Sequence, residues 1–305
     1  MTELALKSED FISIKQTNQS EIESILELAE HFKRHPVGNQ LEGKVLATCF
    51  FEPSTRTRLS FESAMIRLGG KVIGFSETHS TSAKKGETLS DTIKVVEAYA
   101  DVIVIRHPEE GSAQLAAEAS KVPVINAGDG SNQHPTQTLL DLFSIKESQG
   151  RLHDLHIAFA GDLKYSRTVH SLINALGYYN PRIYMIAPPN FHLSEDQCEE
   201  LKQKGVVFSF HHTIEEVIDR LDVIYMTRFQ KERHASNQSV THGCILNGEH
   251  LKSAKENFRV LHPLPRVDEI TTDVDESPYA YYFEQSSNGV PVRQALLTYL
   301  LGSAV

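Results

Sequence analysis

Phe50-Phe51-Glu52-Pro53-Ser54-Thr55-Arg56-Thr57-Arg58-Leu59-Ser60-Phe61-Glu62 joins two periodicities. Just before it runs Val45-Leu46-Ala47, an apolar stretch of the kind buried in a parallel sheet. Beyond it Phe61, Ala64, Met65 and Leu68 recur at i, i+3, i+4 and i+7, one face of a helix. Strand, turn and helix start therefore meet at residues 54–57. A helix start exposes N–H groups without internal partners and the positive end of the macrodipole. Three hydroxyls and two arginines gathered there suit an anion, phosphate above all. The alternative is a Ser or Thr N-cap with solvated arginines.

The alternation continues on both sides of this stretch. Ser20-Glu21-Ile22-Glu23 has the spacing of a capping box and opens an amphipathic helix that ends before Pro36. Strands are expected near 44–51, 71–75, 101–106 and 122–127, with helices over 88–99 and 136–147. The pattern then restarts: strands at 156–160, 182–186, 206–210, 222–226 and 259–261, helices at 167–176, 194–204, 214–220 and 292–301. Residues 76–86 and 229–248 are polar and aperiodic; the first reads as a functional or mobile loop, the second as a mobile one. Val/Ile-rich strands alternating with helices predict an α/β fold of two domains, each a parallel sheet flanked by helices, with a break near residue 135. Neither G-x-G-x-x-G nor a Walker A sequence occurs, so neither nucleotide cradle is expected.

Composition narrows the chemistry. Against 40 acidic residues stand 30 Lys and Arg, a net charge of −10, which disfavours general binding to nucleic acid or membrane surfaces. Basic residues gathered in one place then read as specific anion ligands. Cys49, Cys198 and Cys244 are scattered and odd in number. No disulfide framework and no zinc or other metal site is expected, and a reducing cytoplasm fits. No signal peptide is legible, nor any apolar run near the roughly 18 residues of a membrane span.

Ligands of open α/β sheets bind outside the carboxyl ends of the strands. Reading only those ends gives 54–57, Arg106, His134 with Gln137, Asp162 to Arg167, Arg228 with Gln230, and Leu264 to Arg266. One strand-end arginine is commonly a surface ion pair. Several in an acidic chain suggest a polyanionic ligand held by planar, bidentate donors. Beside Arg106 and Gln137, His134 becomes a candidate donor to a carbonyl oxygen. No Ser-His-Asp or Cys-His pattern for covalent catalysis is visible.

These residues carry a resemblance. Ser54-Thr55-Arg56-Thr57-Arg58 resembles the phosphate motif of the aspartate/ornithine carbamoyltransferase family. Gln133-His134-Pro135-Thr136-Gln137 and His262-Pro263-Leu264-Pro265 fall where that family has its other signatures. Lys85-Gly86-Glu87-Thr88-Leu89 and Gly161-Asp162-Leu163-Lys164 extend the likeness through most of the chain. The aspartate branch matches best. Met226-Thr227-Arg228-Phe229-Gln230 offers groups for a second carboxylate, and the other motif reads His262-Pro263-Leu264-Pro265, where the ornithine branch typically has a Cys after the His.

The resemblance implies a carbamoyl phosphate-binding domain of residues 1–135 plus 292–305, an aspartate-binding domain of 136–291, and an active site in the cleft between them. It implies that Ser54, Thr55, Arg56 and Thr57 hold the phosphate. Thr57, Arg106 and His134 donate to the carbonyl oxygen, while Gln137 and the backbone carbonyls of Leu264 and Pro265 take the carbamoyl amino group. Arg167, Arg228 and Gln230 take the carboxylates of L-aspartate. Lys85, with Ser82 or Thr81, reaches in from a neighbouring subunit of a homotrimer. No cofactor is implied. The reaction yields N-carbamoyl-L-aspartate and phosphate in pyrimidine biosynthesis. It needs fixed donors for an oxyanion and no protein nucleophile, since the departing phosphate can take the amine proton. Lys231-Glu232-Arg233 and Val267-Asp268-Glu269-Ile270 resemble the branch whose trimers join zinc-bearing regulatory chains in an allosteric dodecamer, although 234–243 departs from its pattern. Two alternatives are transfer to another amine such as ornithine, and a non-catalytic anion-binding scaffold of the same fold.

Overall fold

The computed structural model describes residues 10–76, 86–229 and 244–302. The chain divides into two compact units, Met1–Leu140 with Asn288–Val305, and Asp141–Ser287. Each contains one parallel sheet flanked by helices. The α/β architecture expected from the strand–helix alternation is therefore the one the chain adopts. Residues 77–85 and most of 229–248, read from sequence as loops, lie outside the described residues.

The first unit runs α1 (Gln19–Arg34), β1 (Val45–Phe50), α2 (Thr55–Arg67), β2 (Lys71–Ser76), α3 (Leu89–Val96), β3 (Val102–His107), α4 (Ser112–Ala119), β4 (Val124–Asp129) and the start of α5 (Pro135–Gln149). Its strand order is β2-β1-β3-β4. The capping box of α1 lies two residues earlier than the expected one. Asn18 Oδ1 accepts from Glu21 N at 3.0 Å, and Glu21 Oε2 accepts from Asn18 N at 2.8 Å. Asn caps as well as Ser, and Glu23 is engaged by Gln19 Nε2 instead. The expected face of α1, Ile22, Ile25, Leu26, Ala29 and Phe32, is buried. The short α4, Ala-rich between two strands, had no expected counterpart.

The second unit continues with β5 (His156–Ala160), α6 (Arg167–Leu176), β6 (Arg182–Ile186), α7 (Glu195–Gln203), β7 (Val207–His211), β8 (Val223–Met226), α8 (Gly248–Leu251), β9 (Arg259–Leu261) and α9 (Tyr282–Ser287). Its strand order is β7-β6-β5-β8-β9. Where a helix was expected over 214–220, the chain makes turns and a single 3-10 turn, Ile218–Arg220. The last helix, α10 (Gly289–Leu301), returns to the first unit and packs on α1 and α2. It starts three residues before the expected 292, because Pro291 falls in its first turn, where no N–H is needed. Among the described residues no helix is long and apolar enough to cross a membrane.

At the amino end of the second sheet, Asp222 ties three strands together. Its carboxylate accepts from His156 N at 2.9 Å, Lys255 Nζ at 2.8 Å and Asn257 Nδ2 at 3.0 Å, and its carbonyl from Arg259 N at 2.9 Å. Burial pushes this carboxyl up, but the hydrogen bonds from Lys255, His156 and Asn257 outweigh it and leave the group below its ordinary value. A depressed folded-state value means that the stabilisation is full above the ordinary carboxylate range and fades as pH falls through the depressed one. Asp222→Asn is expected to cost about 1–3 kcal/mol at neutral pH. In urea unfolding, the gap to the unaltered chain should close in acid. A gap independent of pH would refute the assignment.

Candidate active site

In the first unit the opening stretch spans the end of β1 and the start of α2. Ser54 is the N-cap of α2, with extended backbone, yet its side chain makes no capping hydrogen bond. Ser54 thus takes the N-cap position of the alternative reading but leaves the first-turn N–H groups of α2 without a side-chain cap of its own. Thr57 is buried, whereas Arg56 is exposed at the helix start. Arg58 points elsewhere: its Nε pairs with Glu62 Oε1 at 2.6 Å, and Glu62 also receives Thr48 Oγ1 at 3.2 Å. It belongs to the packing of α2 on β1.

Arg106 lies at the carboxyl end of β3, where the pairing with β4 shifts register between Ile105 and His107. Such irregularities re-aim side chains. One guanidinium nitrogen, Nη1, reaches Ala127 O at 3.3 Å. Nε stands 2.7 Å from Glu52 Oε1, an ion pair whose N–H direction is too oblique for an aligned hydrogen bond. Burial pulls the Arg106 value down, Glu52 pushes it back up, and the nearby charge of Arg56 lowers it again. Two cations thus converge beside the open start of α2, with Glu52 as counter-ion.

His134 is buried immediately before α5 and caps it through its carbonyl, which receives Gln137 N at 3.0 Å. The loop that carries it is built on Asp129. That carboxylate accepts from Asn126 Nδ2 (2.9 Å), Asn132 Nδ2 (2.9 Å), Gly111 N (3.0 Å) and Gln133 N (3.2 Å). Gln137 is buried in the first turn of α5.

In the second unit, Arg167 opens α6 after β5, and Arg228 follows β8. Strands β5 and β8 are neighbours, and their connections leave in opposite directions, the switch point at which such sheets bind ligands. Ser166 Oγ lies 3.2 Å from Thr227 Oγ1, so the residues preceding the two arginines are bonded to each other. Gly161 allows the approach, because a Cβ there would meet Thr227 O at 2.0 Å. Asp162, fully buried, accepts from Tyr165 N at 3.1 Å and shapes the turn into α6. Gln230, Lys85, Ser82 and Thr81 lie outside the described residues. Leu264 has φ 53 and precedes a cis peptide bond to Pro265. Arg266, counted among the strand-end arginines, is bound by Asp275 and stacks over Tyr282, so it is structural.

Sequence reasoning did not single out Glu52 or Asp129. Nor did it find the buried pair of His262 with Glu269, 2.6 Å apart, or Asp141 with Gln285, also 2.6 Å apart. Glu52, inside the opening stretch, and His262 and Glu269, inside quoted segments, stood where a signal could have been sought.

Residues 9–147 match the family model described as aspartate/ornithine carbamoyltransferase, carbamoyl-P binding domain, and residues 153–300 match the Asp/Orn binding domain of the same group. The chain belongs to the aspartate/ornithine carbamoyltransferase family. Among relatives, the aspartate carbamoyltransferase catalytic subunit of Chromobacterium violaceum is 54% identical over 296 residues, 96% of this chain and 98% of that one. The catalytic subunit of Vibrio cholerae is 53% identical over 306 residues, covering 99% of each. Among solved structures, the catalytic subunit of M. jannaschii aspartate transcarbamoylase superposes with a TM-score of 0.91 at 49% identity, over 96% of this chain and 98% of that one. The Trypanosoma cruzi aspartate transcarbamoylase bound to N-(phosphonacetyl)-L-aspartic acid gives 0.91 at 38% identity, over 96% of each chain. Both family domains are thus accounted for, one sheet apiece. The compact units divide inside α5 and before α10, whereas the family domains divide around the end of α5, between residues 147 and 153, and leave α10 with the second.

Proposed function

We propose that this carbamoyltransferase moves the carbamoyl group of carbamoyl phosphate onto the amino group of L-aspartate, giving N-carbamoyl-L-aspartate and phosphate, an early step of pyrimidine synthesis. The observation that carries the choice of amine is the Ser166–Thr227 hydrogen bond, which keeps Arg167 and Arg228 on adjacent strand ends. Two guanidinium groups suit two carboxylates. Ornithine brings one carboxylate and a cationic tail that Arg228 repels. The relatives named above, aspartate enzymes at 53–54% identity, support the same reading.

In this reading the start of α2, with Ser54, Thr55, Arg56 and Thr57, holds the phosphate. Thr57, Arg106 and His134 donate to the carbonyl oxygen as it becomes an oxyanion, where one donor is worth roughly 2.7–4 kcal/mol. Gln137 and the carbonyls of Leu264 and Pro265 orient the amino group. The aspartate amine attacks, the C–O bond to phosphate breaks, and the leaving phosphate takes the amine proton. The cationic side chains hold two mutually repelling anions in register, which is the entropic part of catalysis. Gln230 assists with aspartate, Lys85 and Ser82 come from the neighbouring subunit of a homotrimer, and a zinc-bearing regulatory chain is the partner that allostery would require. No cofactor takes part, and the compartment is the cytoplasm.

Steady-state assays with carbamoyl phosphate and either amine test the proposal. Because the unused arginine would be left unpaired, kcat/KM for aspartate should exceed that for ornithine on the order of 10⁴-fold. Comparable values would refute it. Carbamoyl phosphate binding without turnover would favour the scaffold.

A further inference from the structure

A buried polar chain in the second unit ends on the Leu264–Pro265 turn. Asp141, fully buried in α5, accepts from Tyr225 Oη at 2.9 Å and from Gln285 Nε2 at 2.6 Å. Gln285 Oε1 in turn accepts from His262 N at 2.8 Å. The His262 ring lies between two partners: Leu264 N donates to Nδ1 at 2.8 Å, and Nε2 stands 2.6 Å from Glu269 Oε1. The other carboxylate oxygen of Glu269 accepts from Val267 N and Asp268 N, each at 3.1 Å. Asp141, Tyr225, Gln285, His262 and Glu269 are each at most 2% exposed.

The donors determine the tautomer. A backbone N–H aimed at Nδ1 leaves no room for a proton there, so Nε2 carries it and donates to Glu269. The imidazole is then neutral and fixed at both nitrogens. This arrangement holds Leu264, a branched residue in the left-handed region at φ 53, where a side chain persists only if its surroundings over-determine it. The neighbouring backbone on the far side, at 267 and 268, is pinned by the same glutamate. The turn between is therefore held at both ends by one buried mount, anchored on α5 through Gln285 and Asp141, and in its middle by the Arg266–Asp275 pair.

We infer that His262 and Glu269 are positioning residues, anchored through Gln285 on Asp141, that fix the Leu264 and Pro265 carbonyls against the carbamoyl amino group. This rests on the carbamoyl-transfer reading, and neither residue touches the reacting atoms. The mount acts on carbamoyl phosphate and its transition state and leaves the aspartate carboxylates to Arg167 and Arg228.

Two double variants separate positioning from simple packing. His262→Leu with Glu269→Leu replaces both buried partners by apolar groups, a change that folded proteins commonly tolerate when both partners go. His262→Asn with Glu269→Gln keeps an acceptor for Leu264 N–H and one for the 267–268 backbone. The leucine pair is expected to lose about 100-fold in kcat, the scale of a small misplacement, and to raise KM for carbamoyl phosphate with that for aspartate unchanged. The amide pair should recover at least about tenfold of the loss. If the leucine pair does not fold, Gln285→Met cuts the links to His262 N–H and to Asp141 while leaving the His262–Glu269 pair in place, and should show the same KM split. Normal kcat and KM for both substrates in a folded leucine pair, or in Gln285→Met where that pair fails, overturn the mount alone. No turnover by the unaltered chain overturns the transfer reading and the mount with it.

Discussion

Arg56→Ala is expected to lower kcat/KM about 100- to 1,000-fold and to leave thermal unfolding within about 1 °C of the unaltered chain. The two effects separate because of where the residue sits. Arg56 is exposed in the first turn of α2, so truncation uncovers no core. Its charge is nonetheless felt at Arg106, which places it among the cations beside the open helix start. Burial lowers the Arg56 value, but a guanidinium stays charged at any working pH. Arg58→Ala is the matched control. That side chain is spent on Glu62 in an i, i+4 pair, worth about 0.3–0.5 kcal/mol, and its loss should leave kcat near normal. Equal activity losses in the two variants, measured with unfolding scans alongside, would count against a phosphate site at the α2 start.

That contrast also shows what a sequence discloses. Arg56 and Arg58 look alike on paper, two cations in one motif, and only helical spacing hinted that the second turns away. Strands were legible because burial on both faces demands unbroken Val/Ile runs: β5, β6 and β9 have the boundaries expected. Candidate site residues were sought where a parallel sheet brings its ligands, at the carboxyl ends of strands. Hydrogen-bond hubs were not. Asp129 stands in the polar strand-end stretch Gly128-Asp129-Gly130, and Glu269 in the segment Val267-Asp268-Glu269-Ile270, with nothing local to mark either as a hub. What makes each a buried hub is a partner that local pattern cannot supply: Gly111 for Asp129, the ring of His262 for Glu269. Asp141 and Gln285 are 144 residues apart, with no periodicity linking them. Arg266 misled for the converse reason, since it has a strand-end position but a local counter-ion in Asp275.

Gly161→Ala should be the most disruptive small substitution in the second unit. Gly161 has φ 121, a conformation strained for any side chain, and an added Cβ would lie 2.0 Å from Thr227 O, a backbone atom that cannot swing aside. Both segments are fastened by the sheet: Thr227 N donates to Ala160 O at 2.9 Å, and Gly161 N to Ile186 O at 3.1 Å. Relief must therefore come from parting the ends of β5 and β8. The expected cost is about 3 kcal/mol, read as a lowered urea midpoint at unchanged m-value. Parting those ends also breaks the Ser166–Thr227 bond and spreads Arg167 from Arg228, so KM for aspartate should rise more than KM for carbamoyl phosphate. Gly150→Ala supplies the comparison, for it has φ 70 with nothing within 4 Å of an added Cβ. It carries the backbone strain without the clash, about 1 kcal/mol, and should leave both KM values alone. If the two alanine variants lose equal stability and keep equal aspartate KM, the close approach of the β5 and β8 ends does not set the spacing of the two arginines.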